Sequence, residues 1–160
     1  MSDTPAKIPE LSAEEISLFC QAVGVAPRRM GQGARETIAR YDLGQRGVWI
    51  MGLISVGLDS PSRLSDALCI GRSLFTAELN RLSAAGLVVA EKDNLDGRRL
   101  KLRLTDKGNA ANRELQASLN AFVRESLEGF SREDVMLCAR LLLAFAGSDA
   151  NRLGPAAGVD

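Results

Sequence analysis

The chain contains no histidine in its 160 residues. That absence removes the commonest general base, the Ser-His-Asp arrangement and imidazole-ligated metal sites together. Cysteine is sparse: Cys20, Cys69 and Cys138 are widely separated and odd in number, so they suggest no disulfide framework and fit no zinc-ligand spacing. A cysteine hydrolase would lack its usual partner base. The expectation is therefore a protein that is not an enzyme and needs neither cofactor nor metal. Aromatic residues make up only 4%, which leaves Leu, Ile, Val and Ala to fill the core. No apolar run approaches the roughly 20 residues that cross a bilayer. The opening MSDTPAKIPE has neither the basic start nor the apolar stretch of a signal peptide. The reading is a cytoplasmic protein without a membrane partner. A net charge of zero gives no global sign of nucleic-acid binding.

What is present is ordinary in amount and uneven in placement. Hydrophobic residues at 46% and charged residues at 25% suit a globular chain of about one domain. From Lys92 to Lys107 six cations (Lys92, Arg98, Arg99, Lys101, Arg103, Lys107) stand against three anions (Asp93, Asp96, Asp106). From Met1 to Cys20 a single cation, Lys7, stands against four anions. The basic charge is concentrated in one short stretch.

Local signals divide the chain. Ser12 with Glu15 has the capping-box form and opens a helix to about Val23, with Ile16, Phe19, Cys20 and Val23 on one face. Gly24, Pro27, Gly31 and Gly33 read as its break, followed by a short helix around Ala34–Tyr41. Leu43 to Val56 is nearly all apolar; the pattern alone also allows a strand, but the length favours a buried helix. Ser60-Pro61 opens the next helix, Ile70-Gly71 turns the chain, and Arg72–Ala85 forms another helix ended by Gly86. Val88–Lys92 and Leu100–Leu104 alternate as strands around the turn-rich DNLDG. Thr105 caps a long helix to about Gly129 and Ser131 a last one to about Phe145. Residues 148–160 are small, polar and Gly/Pro-containing, and read as a disordered tail. Cys69 and Cys138 fall in apolar helical patterns and are expected in the core.

Two short helices joined by a tight turn and followed by a two-stranded hairpin make a winged helix-turn-helix. The Arg72–Ala85 helix has two faces. Phe75, Leu79 and Leu82 must pack inward; Arg72, Ser73, Thr76, Ala77 and Asn80 lie elsewhere and suit an element that meets base edges in a major groove. The hairpin tip carries Asp96, Arg98 and Arg99, and arginines on a narrow loop suit a minor groove.

The stretch from Ser60 to Gly108 resembles the central region of MarR-family regulators. Leu64-Ser65-Asp66-Ala67-Leu68 resembles the first reading helix, and Arg72 through Leu82 with Ala85-Gly86-Leu87-Val88 resembles the recognition helix and its exit. Asp96-Gly97-Arg98-Arg99 fits the D-x-R wing signature, and Leu104-Thr105-Asp106-Lys107-Gly108 fits the L-T-x-x-G start of the long dimer helix. The match runs from about Leu43 to Leu115. The resemblance implies a mostly α (α+β) fold: a winged helix-turn-helix with a two-stranded β-wing and a helical dimerisation region. It divides the chain into N-terminal dimerisation helices over 1–42 with a disordered arm over 1–10, a DNA-binding domain over 43–104 and C-terminal dimerisation helices over 105–147. An independent hint of a homodimer is that the terminal helices carry more apolar surface than one small domain needs.

The partner so implied is a pseudo-palindromic double-stranded DNA operator, and the role that of a repressor. Arg72, Ser73, Thr76 and Asn80 would face bases or phosphates. Arg98 would enter the minor groove with Asp96 orienting it and Arg99 beside it. Ser60, Ser62, Arg63 and Lys101 would make backbone contacts. Leu74 departs from the small polar residue often found at that place; it either meets a thymine methyl or packs. The resemblance also implies a small effector, often an aromatic carboxylate or phenolic, in a crevice lined by Phe19, Val23, Tyr41, Arg46, Trp49, Ile50 and Met51, with Arg46, Arg40 or Arg35 as the carboxylate's partner. Two alternatives stand beside this: a redox-sensing repressor working through Cys20, and a winged helix used as a protein-interaction module. Cys20 shares its apolar face with Ile16 and Phe19, where burial would make a thiol inert.

Overall fold

The computed structural model describes residues 10–92 and 100–147. The first helix, α1 (Ala13–Gly33), starts at the expected capping box: the Ser12 hydroxyl accepts from the Glu15 amide at 3.2 Å, and the Glu15 carboxylate accepts from the Ser12 amide at 2.8 Å. The helix does not stop near Val23. It runs on through Gly24, Pro27 and Gly31. Proline removes its own amide from the ladder and its ring crowds the carbonyl four residues back, yet the helix continues through it. The Gln45 side chain donates through Nε2 to the Pro27 carbonyl at 3.1 Å. The helix ends at Gly33, which is also a close approach: a Cβ there would stand 2.5 Å from Cγ of Phe122.

Next come α2 (Arg35–Arg40) and α3 (Gln45–Ser55), then α4 (Pro61–Ala67) and α5 (Arg72–Ala84). Strands β1 (Val88–Lys92) and β2 (Leu100–Leu104) pair antiparallel, with Val88 opposite Leu104 and Ala90 opposite Leu102. Helix α6 (Asp106–Ser126) and helix α7 (Arg132–Phe145) complete the order. The segment between 43 and 56 is a helix, so the strand alternative is excluded. Helix α3 supplies the centre: Val48, Ile50, Met51 and Ile54 are buried there with Leu64 of α4, Phe75 and Leu82 of α5, Leu87, Leu102 and Leu104 of the sheet region, and Ala111 and Leu115 of α6. The fold is mostly helical with a two-stranded sheet, as the sequence predicts.

The junction from α5 to the sheet and on to α6 is tightly tied. The Thr105 hydroxyl donates to the Gly86 carbonyl at 2.7 Å, and its oxygen accepts from the Gly108 amide at 3.0 Å. The Thr105 amide donates to the Leu87 carbonyl at 3.0 Å, and Lys107 Nζ donates to the Ala85 carbonyl at 2.8 Å. Gly108 is buried against Leu87, so a side chain there would meet the Leu87 carbonyl oxygen. This contact explains why glycine ends the Leu104-Thr105-Asp106-Lys107-Gly108 run.

The terminal helices differ from the rest. Neither α1 nor α7 buries a residue in the single chain. Leu18 is 69% exposed, Leu141 55% and Phe145 62%. The two helices meet where the Phe19 and Phe145 rings pack edge to face at 5.2 Å. One expectation is corrected here. Cys20, Cys69 and Cys138 are all exposed in this chain rather than buried. Cys20 and Cys138 stand on the uncovered α1 and α7, and Cys69 lies in the turn after α4 with φ of 51°. No described helix is long and apolar enough to cross a membrane.

Candidate nucleic-acid interface

Helix α5 begins at Arg72 after Gly71, whose extended backbone places no side chain over the first turn. The leading amides of such a helix have no acceptor within it and stay available to an anion. Phe75 and Leu82 turn into the core and Leu79 packs against it. Arg72, Ser73, Thr76, Ala77 and Asn80 are all exposed. The exposed residues of α5 are Arg72, Ser73, Leu74, Thr76, Ala77, Asn80, Arg81, Ser83 and Ala84, and no carboxylate stands among them. The exposed residues of α5 itself therefore present no negative charge to a polyanion.

Helix α4 flanks this surface. Pro61, Ser62 and Ser65 line a concavity of about 250 Å³ together with Arg72, Phe75 and Thr76. Ser60 is the residue before α4, yet its side chain does not cap the helix. Its hydroxyl stands 3.1 Å from that of Ser62, and Arg63 next to it is exposed. Two neighbouring hydroxyls and a guanidinium suit phosphate oxygens. Lys101 on β2 approaches Asp59 at 4.0 Å, and the Leu102 amide donates to the Asp59 carbonyl at 2.8 Å. These contacts hold the base of the sheet against the start of the reading unit. Across the strands Arg103 donates to Glu91 at 2.6 Å, and the guanidinium holds that carboxyl below its ordinary range. Asp96, Arg98 and Arg99 lie outside the described residues.

Two contacts set the pose of α5 on α3. Arg81 donates to Asp42 at 2.8 Å. Glu78 places Oε1 against the start of α3, where a Cβ on Gly44 would come within 2.7 Å and one on Gly47 within 2.9 Å. That oxygen is buried and accepts no hydrogen bond among the described residues. A carboxylate at the first turn of a helix is favoured by the positive end of the helix dipole.

The residues expected to line an effector crevice separate in the structure. Ile50 and Met51 are wholly inside the core and present no surface within this chain. Tyr41 donates its hydroxyl to Glu114 at 3.0 Å, beside an Arg40 to Glu114 pair at 2.8 Å. Phe19 lies against Phe145, Val23 is half-buried, and Arg46 is exposed. Trp49 alone lines the cleft found between α1, α2, α3 and α6, with Met30, Gly31, Ala34, Ile38, Gln45, Val48 and Leu119. In one chain the cleft encloses only about 10 Å³, and its exposed lining is almost wholly apolar. Met30 and Gly31 belong to the second half of α1, which local breaker signals at Gly24 and Pro27 conceal.

No protein-family model and no curated protein matches this chain. Solved structures do. NadR in complex with 4-hydroxyphenylacetate is 25% identical with a TM-score of 0.70, over 91% of this chain and 100% of that one. CouR from Rhodococcus jostii bound to p-coumaroyl-CoA is 18% identical with a TM-score of 0.71, over 84% and 93%. AbsC, a MarR family transcriptional regulator from Streptomyces coelicolor, is 21% identical with a TM-score of 0.68, over 88% and 97%. The chain has the winged-helix fold of MarR-family transcriptional regulators.

Proposed function

We propose that this chain is a dimeric MarR-type transcriptional regulator that reads double-stranded DNA with α5. The observation that carries the reading is the division of α5 into a buried apolar face and an exposed face without acid, inside a winged helix-turn-helix. In this reading residues 43–104 form the DNA-binding unit, while 1–42 and 105–147 supply the dimer. Arg72, Ser73, Thr76 and Asn80 face the major groove; Ser60, Ser62, Arg63 and Lys101 hold phosphates. The minor-groove roles of Asp96, Arg98 and Arg99 rest on the sequence. Bases are distinguished through hydrogen bonds at their edges, whereas phosphate contacts set position and salt dependence. The uncovered apolar faces of α1 and α7 support a second copy as partner. The protein acts as a repressor, released by a small effector. NadR was solved with 4-hydroxyphenylacetate and CouR with p-coumaroyl-CoA, which supports an aromatic acid as the effector class. In this reading the effector enters beside Trp49, where the cleft of about 10 Å³ in one chain must open to admit it.

The test is selection of bound duplexes from a random pool at two salt concentrations. The expected product is an inverted repeat with half-sites about one helical turn apart. Asn80→Ala and Thr76→Ala should change the preferred base, whereas Arg63→Ala should weaken binding to all duplexes and flatten the salt slope. Weak retention without any selected sequence would refute the reading.

A further inference from the structure

Leu74 is an exception on α5. It is 41% exposed, whereas Phe75 is 4% and Leu82 1% exposed. The helix therefore has room to bury leucine and does not bury this one. Most of the other exposed large apolar side chains stand on α1 and α7, whereas Leu74 stands in the first turn of α5. Ala77, also exposed, is three residues on and about 60° around the axis, which makes it Leu74's neighbour on the surface. Beside Ala77 stand Ser73 and Asn80, with Thr76 further round the same exposed side, all exposed and all able to hydrogen-bond. A protein-binding patch would need large apolar neighbours; on the helix surface Leu74 has Ala77, the half-buried Glu78 and, two turns on, Arg81. In a major groove the base edges present hydrogen-bonding atoms and one prominent apolar group, the C5-methyl of thymine.

We infer that Leu74, supported by Ala77, is a specificity-determining residue that reads a thymine methyl group in each half-site. The inference rests on the assignment of α5 as the DNA-reading helix. Each half-site then contains at least one A·T pair that contributes through its methyl, and half-sites built only of G·C pairs are not selected. The apolar contact also accounts for leucine at a place where a hydrogen-bonding side chain would otherwise be of use.

The experiment replaces each thymine of one selected half-site, one at a time, by deoxyuridine, which differs only in lacking the methyl. The full chain should lose about fourfold in affinity at one or two positions, the ratio that burial of one methyl corresponds to. Leu74→Ala should bind the thymine and deoxyuridine operators equally. Leu74→Met, which keeps an apolar side chain of similar volume, should retain the discrimination. Thermal melting of both variants checks that they fold. If every deoxyuridine is tolerated, or if Leu74→Ala loses as much as wild type, the inference is overturned while DNA reading by α5 stands. If the pool yields no operator, the assignment of α5 itself fails, and this inference falls with it.

Discussion

Replacing Gly108 by alanine sets two opposed effects against each other at one atom. Gly108 is the third residue of α6, where alanine is the better helix former by about 1 kcal/mol. On propensity alone Gly108→Ala should stabilise. The added Cβ, however, would overlap the carbonyl oxygen of Leu87, which is backbone and cannot rotate away. That oxygen also accepts from the Thr105 amide at 3.0 Å, so moving it strains the bond that anchors α6. Overpacking of this kind costs about 1–3 kcal/mol and occasionally more, and weakening one buried hydrogen bond adds about 1 kcal/mol. The net expectation is a loss of about 1–3 kcal/mol, or a melting temperature lower by about 2–10 °C for a chain of this size. Gly52→Ala is the matched control. It lies within α3, where the nearest atom to a new Cβ is a Gln116 side-chain nitrogen at 3.8 Å. There the propensity term acts alone, and the variant should melt at or above wild type. Both are measured at one protein concentration, because the stability of an oligomer depends on it. A Gly108→Ala protein as stable as Gly52→Ala would refute the reasoning.

Gly47→Ala should displace the Glu78 carboxylate from the start of α3, weakening operator binding as well as stability; unchanged operator affinity would show that the α3–α5 pose does not govern reading. Leu141→Glu should dissociate the proposed dimer, seen as a halved mass in sedimentation, whereas an unchanged mass would place the dimer contact elsewhere. The single tryptophan, Trp49, lines the α1–α3 cleft, so 4-hydroxyphenylacetate should change its fluorescence saturably; no change at millimolar ligand would argue against the cleft. Acid should destabilise the fold in a defined way. Arg103 holds Glu91 below its ordinary 4.5, and Ser12 and Ser131 do the same for Glu15 and Asp134. Carboxyls lowered in the folded state contribute stability that is complete above their ordinary values and is lost as pH falls through the lowered ones. The urea midpoint should therefore decline below about pH 4.5, and Glu91→Gln should reduce that decline. Tyr41 runs the other way: its hydrogen bond to Glu114 raises its value above 10.0, so its contribution is lost as pH rises through the raised value, and Tyr41→Phe should remove that alkaline step.

The reading unit was legible in the sequence because its signals are local. Phe75, Leu79 and Leu82 recur at helical spacing, Pro61 and Gly86 punctuate the neighbouring turns, and Val88–Lys92 and Leu100–Leu104 carry the strand pattern to the residue. The capping boxes at Ser12 and Ser131 were legible for the same reason. The length of α1 was not. Gly24, Pro27 and Gly31 are breakers by intrinsic preference, yet the helix runs through all three and ends at Gly33; the contacts made along this stretch, Gln45 on the Pro27 carbonyl and Phe122 against Gly33, come from 18 and 89 residues away. That hidden stretch of helix supplies Met30 and Gly31 to one wall of the cleft beside Trp49, which local signals alone do not reveal.

The terminal helices show a different limit. Periodicity identifies an apolar face on α1 through Ile16, Phe19 and Val23, but it does not say what covers the face. A core placement for Cys20 and Cys138 follows only if this chain covers its own helices, and it does not: α1 and α7 touch each other through Phe19 and Phe145 and leave Leu18, Leu137 and Leu141 in the open. Exposure of that many large apolar side chains on two adjoining helices is costly for a free monomer. A second copy would bury them without any change in the reading unit, because α5 and its exposed face lie on other elements. The same two-chain arrangement would carry two α5 helices on one rigid frame, which is the geometry that an inverted repeat requires. Under the proposed function, apolar surface at the ends of the chain and polar surface on α5 are two requirements of one design.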